Sequence, residues 1–454
     1  MKENNQLKVL SSDRRFGTDG IRGPIDSTMN PLFVTKIGWA AGKIFLSEGI
    51  DRVLIGKDTR ISGYMLESAL QAGFISAGIN VTLLGPLPTP AVAHLAKSHN
   101  KAGVVISASH NSFEDNGIKF FSNDGYKLSG NSERKIESLL TEQIQVVEAE
   151  RLGKTDRLND AQGRYIEFCK SSTPSLDLTG IKICLDCANG SSYSVAPKIF
   201  EELGATVKAI AVNPNGININ KDCGSTNPKV LIDSTLENNC DLGIAFDGDG
   251  DRINVVNKKG DILDGDDLLY ILAMSKIIKN SAPEIPKGIV GTLMTNSALE
   301  NVYKENDINF IRADVGDKFV LKEMLRKKWL LGGEPSGHII CLESTTTGDA
   351  VIAALQLLLA LQNLGMDLEE ALNSFKKYPQ KLINLRVKNP TKIIMSTKIR
   401  KAVSDLEKSL GSNGRIVLRP SGTEPLIRVM VEANSLSLTD QSAESLAEVI
   451  QASA

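Results

Sequence analysis

The chain has 454 residues, an ordinary globular composition and a formal net charge of -2. That length exceeds one compact core and predicts three or four domains, while the balanced charge offers no basic face and argues against a nucleic-acid partner. The most apolar run, Ala350 to Leu361, contains Gln356 and falls short of the roughly 20 residues of a membrane span, so it predicts a core helix and no membrane association.

The amino-terminal residues MKENNQLKVLSSDRR lack the apolar centre of a signal peptide, which predicts a cytoplasmic protein. Residues 16–24, FGTDGIRGP, form a glycine-rich loop before a predicted helix from Pro31 to Leu46. A short apolar strand at 53–56 then leads into Lys57-Asp58-Thr59-Arg60, a helix from Met65 to Ala77 and a strand from Val81 to Leu84. This layout recurs at Ile181–Leu185, Val195–Leu203 and Thr206–Val212, and again at Ile289–Leu293, Leu299–Glu305 and Ile308–Arg312. Each strand–helix–strand unit predicts part of a mostly parallel sheet, built through right-handed crossovers.

After each unit, another apolar strand opens into a small or polar loop. The first is VVISASHNSFEDNGIKF, residues 104–120. Open α/β sheets place ligands at the carboxyl ends of such strands. Ser109 lies between alanine and His110, so its hydroxyl is reachable and a proton carrier is adjacent. Asn116-Gly117 predicts a tight turn that returns Lys119 to the same place. Read alone, most loops of this kind are just turns.

The second loop, LGIAFDGDGDR, alternates Asp247, Asp249 and Asp251 with glycines and ends at Arg252. Three carboxylates this close repel one another unless a cation gathers them, and hard oxygen ligands favour Mg²⁺ or Ca²⁺ over zinc. An EF-hand is excluded, because its required glycine and glutamate positions hold Arg252 and Lys258. The third loop, Gly-Glu-Pro-Ser-Gly-His at 333–338, offers hydrogen-bonding groups for a sugar but is also a common turn. Residues 419–428, RPSGTEPLIR, suit a phosphate dianion or a plain hairpin turn. The six cysteines predict no disulfide framework; Cys184 and Cys187 should face opposite sides of a strand. Residues 280–288 and Tyr378 to Lys381 predict linkers, and a helix from Ser396 to Leu410 with strands IVLRP and LIRVMVEA predicts a small α+β domain. Three similar mixed α/β domains (1–160, 161–264 and 265–378) and a last domain at 379–454 would surround a central cleft.

The string around Ser109 closely resembles the phosphoserine loop of the α-D-phosphohexomutases. FGTDGIRGP, the Asp-Gly-Asp-Gly-Asp-Arg loop, Gly-Glu-Pro-Ser-Gly-His and RPSGTEPLIR resemble that family's other signatures, so the likeness covers nearly the whole chain. PNGININKDCGSTNP and TTTGD resemble its bacterial phosphoglucosamine mutase branch most. The chain departs from the family at Ser112, where many members have proline, and at Lys318, where that branch often has arginine.

The resemblance implies an isomerase that converts glucosamine 6-phosphate to glucosamine 1-phosphate, feeding UDP-N-acetylglucosamine synthesis. Phosphoglucomutase or phosphomannomutase activity, a phosphatase, and a non-enzymatic sugar-phosphate binding protein are the alternatives. It implies Ser109 as phosphoryl carrier and metal ligand, with Mg²⁺ on Asp247, Asp249 and Asp251. Lys119 is the expected general acid/base, its pKa lowered by desolvation beside cations; His110 and Arg60 are further catalytic candidates. Thr18 and Asp19 would shape the first loop. Arg22, Arg252, Lys318, Glu334, Ser336 and His338 are the implied substrate contacts, and Arg419, Ser421, Gly422, Thr423 and Arg428 the phosphate cradle. Glucosamine or glucose 1,6-bisphosphate would serve as activator and intermediate, in a monomer or homodimer.

Overall fold

Each repeated unit builds the centre of its own sheet. The computed structural model describes residues 16–17, 19–26, 28–278, 288–420 and 426–453. In each unit the first strand (Arg52–Lys57, Lys182–Asp186, Gly288–Thr292) pairs in parallel with the second (Asn80–Pro86, Thr206–Ile210, Asn309–Ala313). On its other side it pairs in parallel with a third (Ala102–Ile106, Leu242–Phe246, Leu331–Gly333). A fourth strand (Asp115–Phe121, Ile253–Asn257, Ile339–Cys341) runs antiparallel beside the third. The sheets are therefore parallel at the centre and mixed at one edge, because a strand that returns through a short loop must pair antiparallel. Those returns, 107–114, 247–252 and 334–338, are the three loops singled out by their chemistry.

Strands Ile21–Pro24 and Thr155–Arg157 extend the first sheet to six, and Ile262–Leu263 extends the second to five. Asn116-Gly117 is not a turn. Both residues lie inside strand Asp115–Phe121, where Gly117 pairs with Arg22. A Cβ on Gly117 would come within 2.7 Å of Arg22 Cγ and of the Ser107 carbonyl oxygen, so the glycine permits a close crossing. The second helix begins at Ser62 rather than Met65.

One apolar cluster runs through all three units, joining Val92 and Val105 to Ile183 and Phe246 and to Leu269 and Leu355. Helix Ala350–Leu364 is mostly buried within it, capped by Asp349 at its start and by Gly365, in the left-handed conformation, at its end. Its all-round apolarity is that of a core helix. Cys184 packs with Leu231 and Val256 while Cys187 enters the large cluster; all six cysteines are buried and unpaired.

The last sheet has order Gln380–Arg386, Leu426–Ala433, Gly414–Pro420, all antiparallel, and its own core with helices Thr397–Leu410 and Leu436–Gln451. The break expected through Lys381 ends sooner: Lys381 pairs with Val431 inside the first of these strands. Within that strand only Leu385 is buried, which leaves almost no apolar signal. This unit is fastened to the third by Arg415, which donates to the carbonyls of Leu293 (2.7 Å) and Thr295 (2.5 Å), and by Glu432, which accepts from the Ser297 amide (2.6 Å). Of the expected linker at 280–288, Gly288 opens a strand and 280–287 lie outside the described residues.

Candidate active site

Ser109 sits just past strand Ala102–Ile106 in the left-handed region (φ 52°), rare for a serine. Its amide donates to Ser107 Oγ (2.9 Å), and Ser107 Oγ donates to Asp58 Oδ2 (2.6 Å). Arg60, fully buried, holds Asp58 through Nε (2.8 Å) and donates through its terminal nitrogens to the carbonyls of Ser109 (2.9 Å), Asn111 (2.8 Å), Asp115 (3.1 Å) and Ser112. The guanidinium is consumed in shaping the loop. Expected to serve proton transfer or charge stabilisation, Arg60 instead spends all its donors on Asp58 and the loop carbonyls, and none is left for a substrate.

The serine hydroxyl faces the acidic loop. Ser109 Oγ donates to Asp247 Oδ2 at 2.5 Å and lies 3.5 Å from His110 Nδ1. Asp247 Oδ1 accepts the amides of Asp251 (3.1 Å) and Arg252 (3.2 Å), which curls the loop. Thr89, at the start of helix Thr89–His99, grips Asp249 through its amide (2.8 Å, to the carbonyl) and its hydroxyl (2.5 Å, to Oδ2). A Cβ on Gly248 would sit 2.6 Å from the Ser109 carbonyl oxygen, so the two loops touch only because that residue is glycine.

Oxygens of Asp247, Asp249 and Asp251 lie within 4.8 Å of one another, all three residues being buried. Asp249 Oδ1 and Asp251 Oδ1 are buried without a hydrogen-bond partner among the described residues. Orphaned carboxylate oxygens are costly, and a hard divalent cation satisfies them. Burial, then Asp251 and Asp249, pushes the Asp247 carboxyl well above its ordinary range. Asp251 is also buried, yet Lys119, His338 and Arg252 hold it well below that range.

Lys119 departs from expectation. Its ion-pair partners are carboxylates, Asp249 (2.7 Å), Asp19 (2.9 Å) and Asp251 (3.3 Å), and they outweigh the nearby Arg22. Burial pulls its pKa down, but these three overcome it and hold the ammonium well above the usual lysine range. His110 goes the other way, pushed to about 4 by burial and by Arg252 and Arg22, so it is neutral at pH 7.

A cavity of about 370 Å³ opens here, lined by Asp19, Arg22 and His110 from the first unit, Asp251 and Arg252 from the second, and Asp317, Glu334 and His338 from the third. His338 lies between Asp317 Oδ2 (3.4 Å) and Asp251 Oδ1 (3.8 Å); burial lowers its pKa, but these neighbours outweigh burial and raise it. Glu334 Oε1 accepts the Gly316 amide at 2.9 Å. Four expected contacts stand apart from the cavity. Ser336 is exposed and does not line the cavity. Lys318 pairs with Glu133 (2.6 Å) on the first unit instead of facing the cavity. Arg419 and Arg428 face each other on neighbouring strands, outside the cavity wall. Thr18, Ser421, Gly422 and Thr423 lie outside the described residues.

Sequence reasoning gave no site role to Lys127, Asp317, Thr89 or Asn220. Partly buried Lys127 bridges Asp19 (2.6 Å) and Asp317, joining the first and third units across the cavity. Asn220 falls in PNGININKDCGSTNP, a string noticed only as a match, and Asp317 directly precedes Lys318. Thr89 carried no signal in the sequence.

Residues 13–146, 163–260, 264–378 and 382–449 match phosphoglucomutase/phosphomannomutase alpha/beta/alpha domains I, II and III and the C-terminal domain of that family. The chain is 50% identical over 438 residues to a phosphoglucosamine mutase of Alcanivorax borkumensis, covering 96% of this chain and 98% of the relative. A Coxiella burnetii protein of the same name is 52% identical over 442 residues, with 96% and 98% covered. Among solved structures, a Burkholderia thailandensis protein of the phosphoglucomutase/phosphomannomutase family superposes with a TM-score of 0.80 at 22% identity, covering 98% of each chain. Aspergillus fumigatus N-acetylphosphoglucosamine mutase, in complex with GlcNAc-6P and magnesium, gives 0.71 at 17% identity, again over 98% of each chain. The chain belongs to the phosphoglucomutase/phosphomannomutase family.

Proposed function

We propose that the protein is a phosphoglucosamine mutase, an isomerase that interconverts glucosamine 6-phosphate and glucosamine 1-phosphate. The observation that carries this reading is the Ser109 hydroxyl held 2.5 Å from Asp247, on the rim of a buried carboxylate triad. Relatives of that name, about half identical from end to end, support the amino-sugar substrate.

In this reading Ser109 carries the phosphoryl group. Asp247, Asp249 and Asp251 would hold Mg²⁺, which when bound would supply the positive charge that lets an oxygen nucleophile approach a phosphate dianion. The sugar's free hydroxyl attacks phosphorus as the Ser109 Oγ–P bond breaks, giving a 1,6-bisphosphate. Neutral His110 would take the hydroxyl proton, and the Lys119 ammonium would give a proton of its own to Ser109 Oγ as the Oγ–P bond breaks; the return half-reaction restores both. The bisphosphate turns end for end and gives its other phosphate back to Ser109, so no net phosphate is consumed. Arg22 and Arg252 offer charge to the substrate, Glu334 and His338 bind its hydroxyls or ammonium, and Arg419 and Arg428 hold the phosphate that is not being transferred. Free buried thiols suit work in a reducing cytoplasm.

The test is to load the protein with glucose 1,6-bisphosphate and Mg²⁺ and follow glucosamine, glucose and mannose 6-phosphates by phosphorus NMR. Glucosamine 1-phosphate should form with the highest kcat/KM. A preference for glucose or mannose phosphate would make it a phosphoglucomutase or phosphomannomutase, and release of inorganic phosphate a phosphatase.

A further inference from the structure

The carrier loop is held from two sides at the same two atoms. Arg60, on the first unit, donates to the carbonyls of Ser109 and Asn111. Asn220, on the second unit, donates its side-chain amide to the same two carbonyls at 2.8 and 3.0 Å. Asn220 is itself left-handed (φ 57°), a conformation asparagine tolerates better than most residues, and its own amide is fixed on the Ala188 carbonyl (2.9 Å). A Cβ on Gly248 would stand 2.8 Å from the Asn220 amide nitrogen and 2.6 Å from the Ser109 carbonyl, so this clamp needs the bare backbone of the acidic loop.

The two donors are not equivalent. Arg60 moves with Ser109, so it shapes the loop wherever the second unit stands. Asn220 belongs to the unit that carries Asp247, Asp249 and Asp251. It lies on a segment that docks on the first unit again where Ile61 donates to the Gly216 carbonyl (2.8 Å). We infer that Asn220 is a positioning residue for the reaction, tying the strained Ser109 backbone to the metal-loop unit and thereby setting the distance between Ser109 Oγ and the carboxylate triad. This rests on the reading of Ser109 as the phosphoryl carrier. A displacement of the order of 1 Å in such a pair costs about 100-fold in rate, and losing two hydrogen bonds to an unfavourable backbone conformation permits such a displacement.

The test uses Asn220→Ala and Asn220→Gly. The glycine variant removes the amide but relieves the left-handed backbone, so it separates a conformational role from a hydrogen-bonding one. Wild type and both variants are loaded at Ser109 with glucose 1,6-bisphosphate, and single-turnover transfer to glucosamine 6-phosphate is timed at saturating Mg²⁺. Both variants should take up phosphate, keep KM within about threefold and transfer about 10- to 100-fold more slowly. Transfer by the glycine variant at the wild-type rate would overturn the inference, as would a loss confined to KM. If wild type itself takes up no phosphate at Ser109, the carrier reading fails first and the inference with it.

Discussion

Arg419 and Arg428 are register partners on adjacent antiparallel strands, so their guanidinium groups share one face of the last sheet. Like charges set directly opposite are destabilising, and Arg428 Nε is buried with no hydrogen-bond partner among the described residues. Burial and Arg428 together lower the Arg419 pKa. An anion between the two removes both costs. Inorganic phosphate at millimolar concentration should therefore raise Tm in the wild type and do so much less in Arg428→Leu, read by calorimetry. Arg419→Ala should raise KM for the hexose phosphate at least about tenfold, the loss of one charge-assisted contact. An unchanged KM would remove Arg419 from the substrate's phosphate.

Gly348 holds His338 in place. A Cβ there would come within 2.2 Å of His338 Nε2, and Gly348 lies in TTTGD, a string that also links units. Thr346 Oγ1 donates to the Gly125 carbonyl (2.7 Å) of the first unit, and the Ala350 amide to the Gly250 carbonyl (3.1 Å) of the acidic loop. Gly348→Ala must displace the imidazole from between Asp251 and Asp317. It should cost about 1–3 kcal/mol of stability by overpacking and depress kcat/KM more than any change in Tm explains. Steady-state kinetics beside thermal melts check this; full activity would show that the ring's placement is immaterial.

The pH dependence of stability should carry a mark of Asp349. Its carboxyl accepts from Tyr165 (2.9 and 3.0 Å) and from the Ile352 amide, yet burial raises its pKa to about 7 against those hydrogen bonds. An unfolded aspartate titrates near about 3.9, so between the two values the folded state binds the extra proton. Stability from this group is greatest below the unfolded pKa and falls as pH rises towards 7. Asp349→Asn keeps an acceptor and loses the titration. The Tm of that variant minus the Tm of wild type should therefore grow from pH 4.5 to 7.5 and level off above. A difference that is flat across this range contradicts the buried-carboxyl account.

Metal affinity should depend on Asp249. Asp249→Asn leaves a neutral group against Thr89 and Lys119 and removes one charge from the triad. Binding of Mn²⁺, used as a spectroscopic probe, should weaken at least about tenfold, since hard-cation affinity follows ligand charge. Chelator should abolish mutase activity in wild type, and Mg²⁺ should restore it. Unaltered Mn²⁺ binding by the variant would contradict the triad as the metal site.

Much of the architecture was legible because the same alternation recurs three times. Apolar runs such as Val104-Val105-Ile106 and Ile244-Ala245-Phe246 end abruptly in serine or aspartate, and a buried strand that stops in polar residues marks a functional loop. What stayed hidden is carried by partners rather than by pattern. Strand Gln380–Arg386 exposes most of its residues, so periodicity could not announce it. Lys119 was expected among cations, but its carboxylate partners come from two distant segments, Asp19 on one and Asp249 and Asp251 on the other. The role of Arg60 depends on carbonyl groups, which every residue has and no sequence distinguishes. Asn116-Gly117 shows the converse error: a turn dipeptide used for close strand packing.

The central claim is that Ser109 carries a phosphoryl group, and intact mass with peptide mapping tests it most directly. After incubation with glucose 1,6-bisphosphate and Mg²⁺, the protein should gain one phosphate, mapped to Ser109, and lose it on addition of glucosamine 6-phosphate. The Ser109→Ala variant should fold normally and gain none. No added phosphate on the wild type, or a phosphate that glucosamine 6-phosphate fails to remove, would contradict the account.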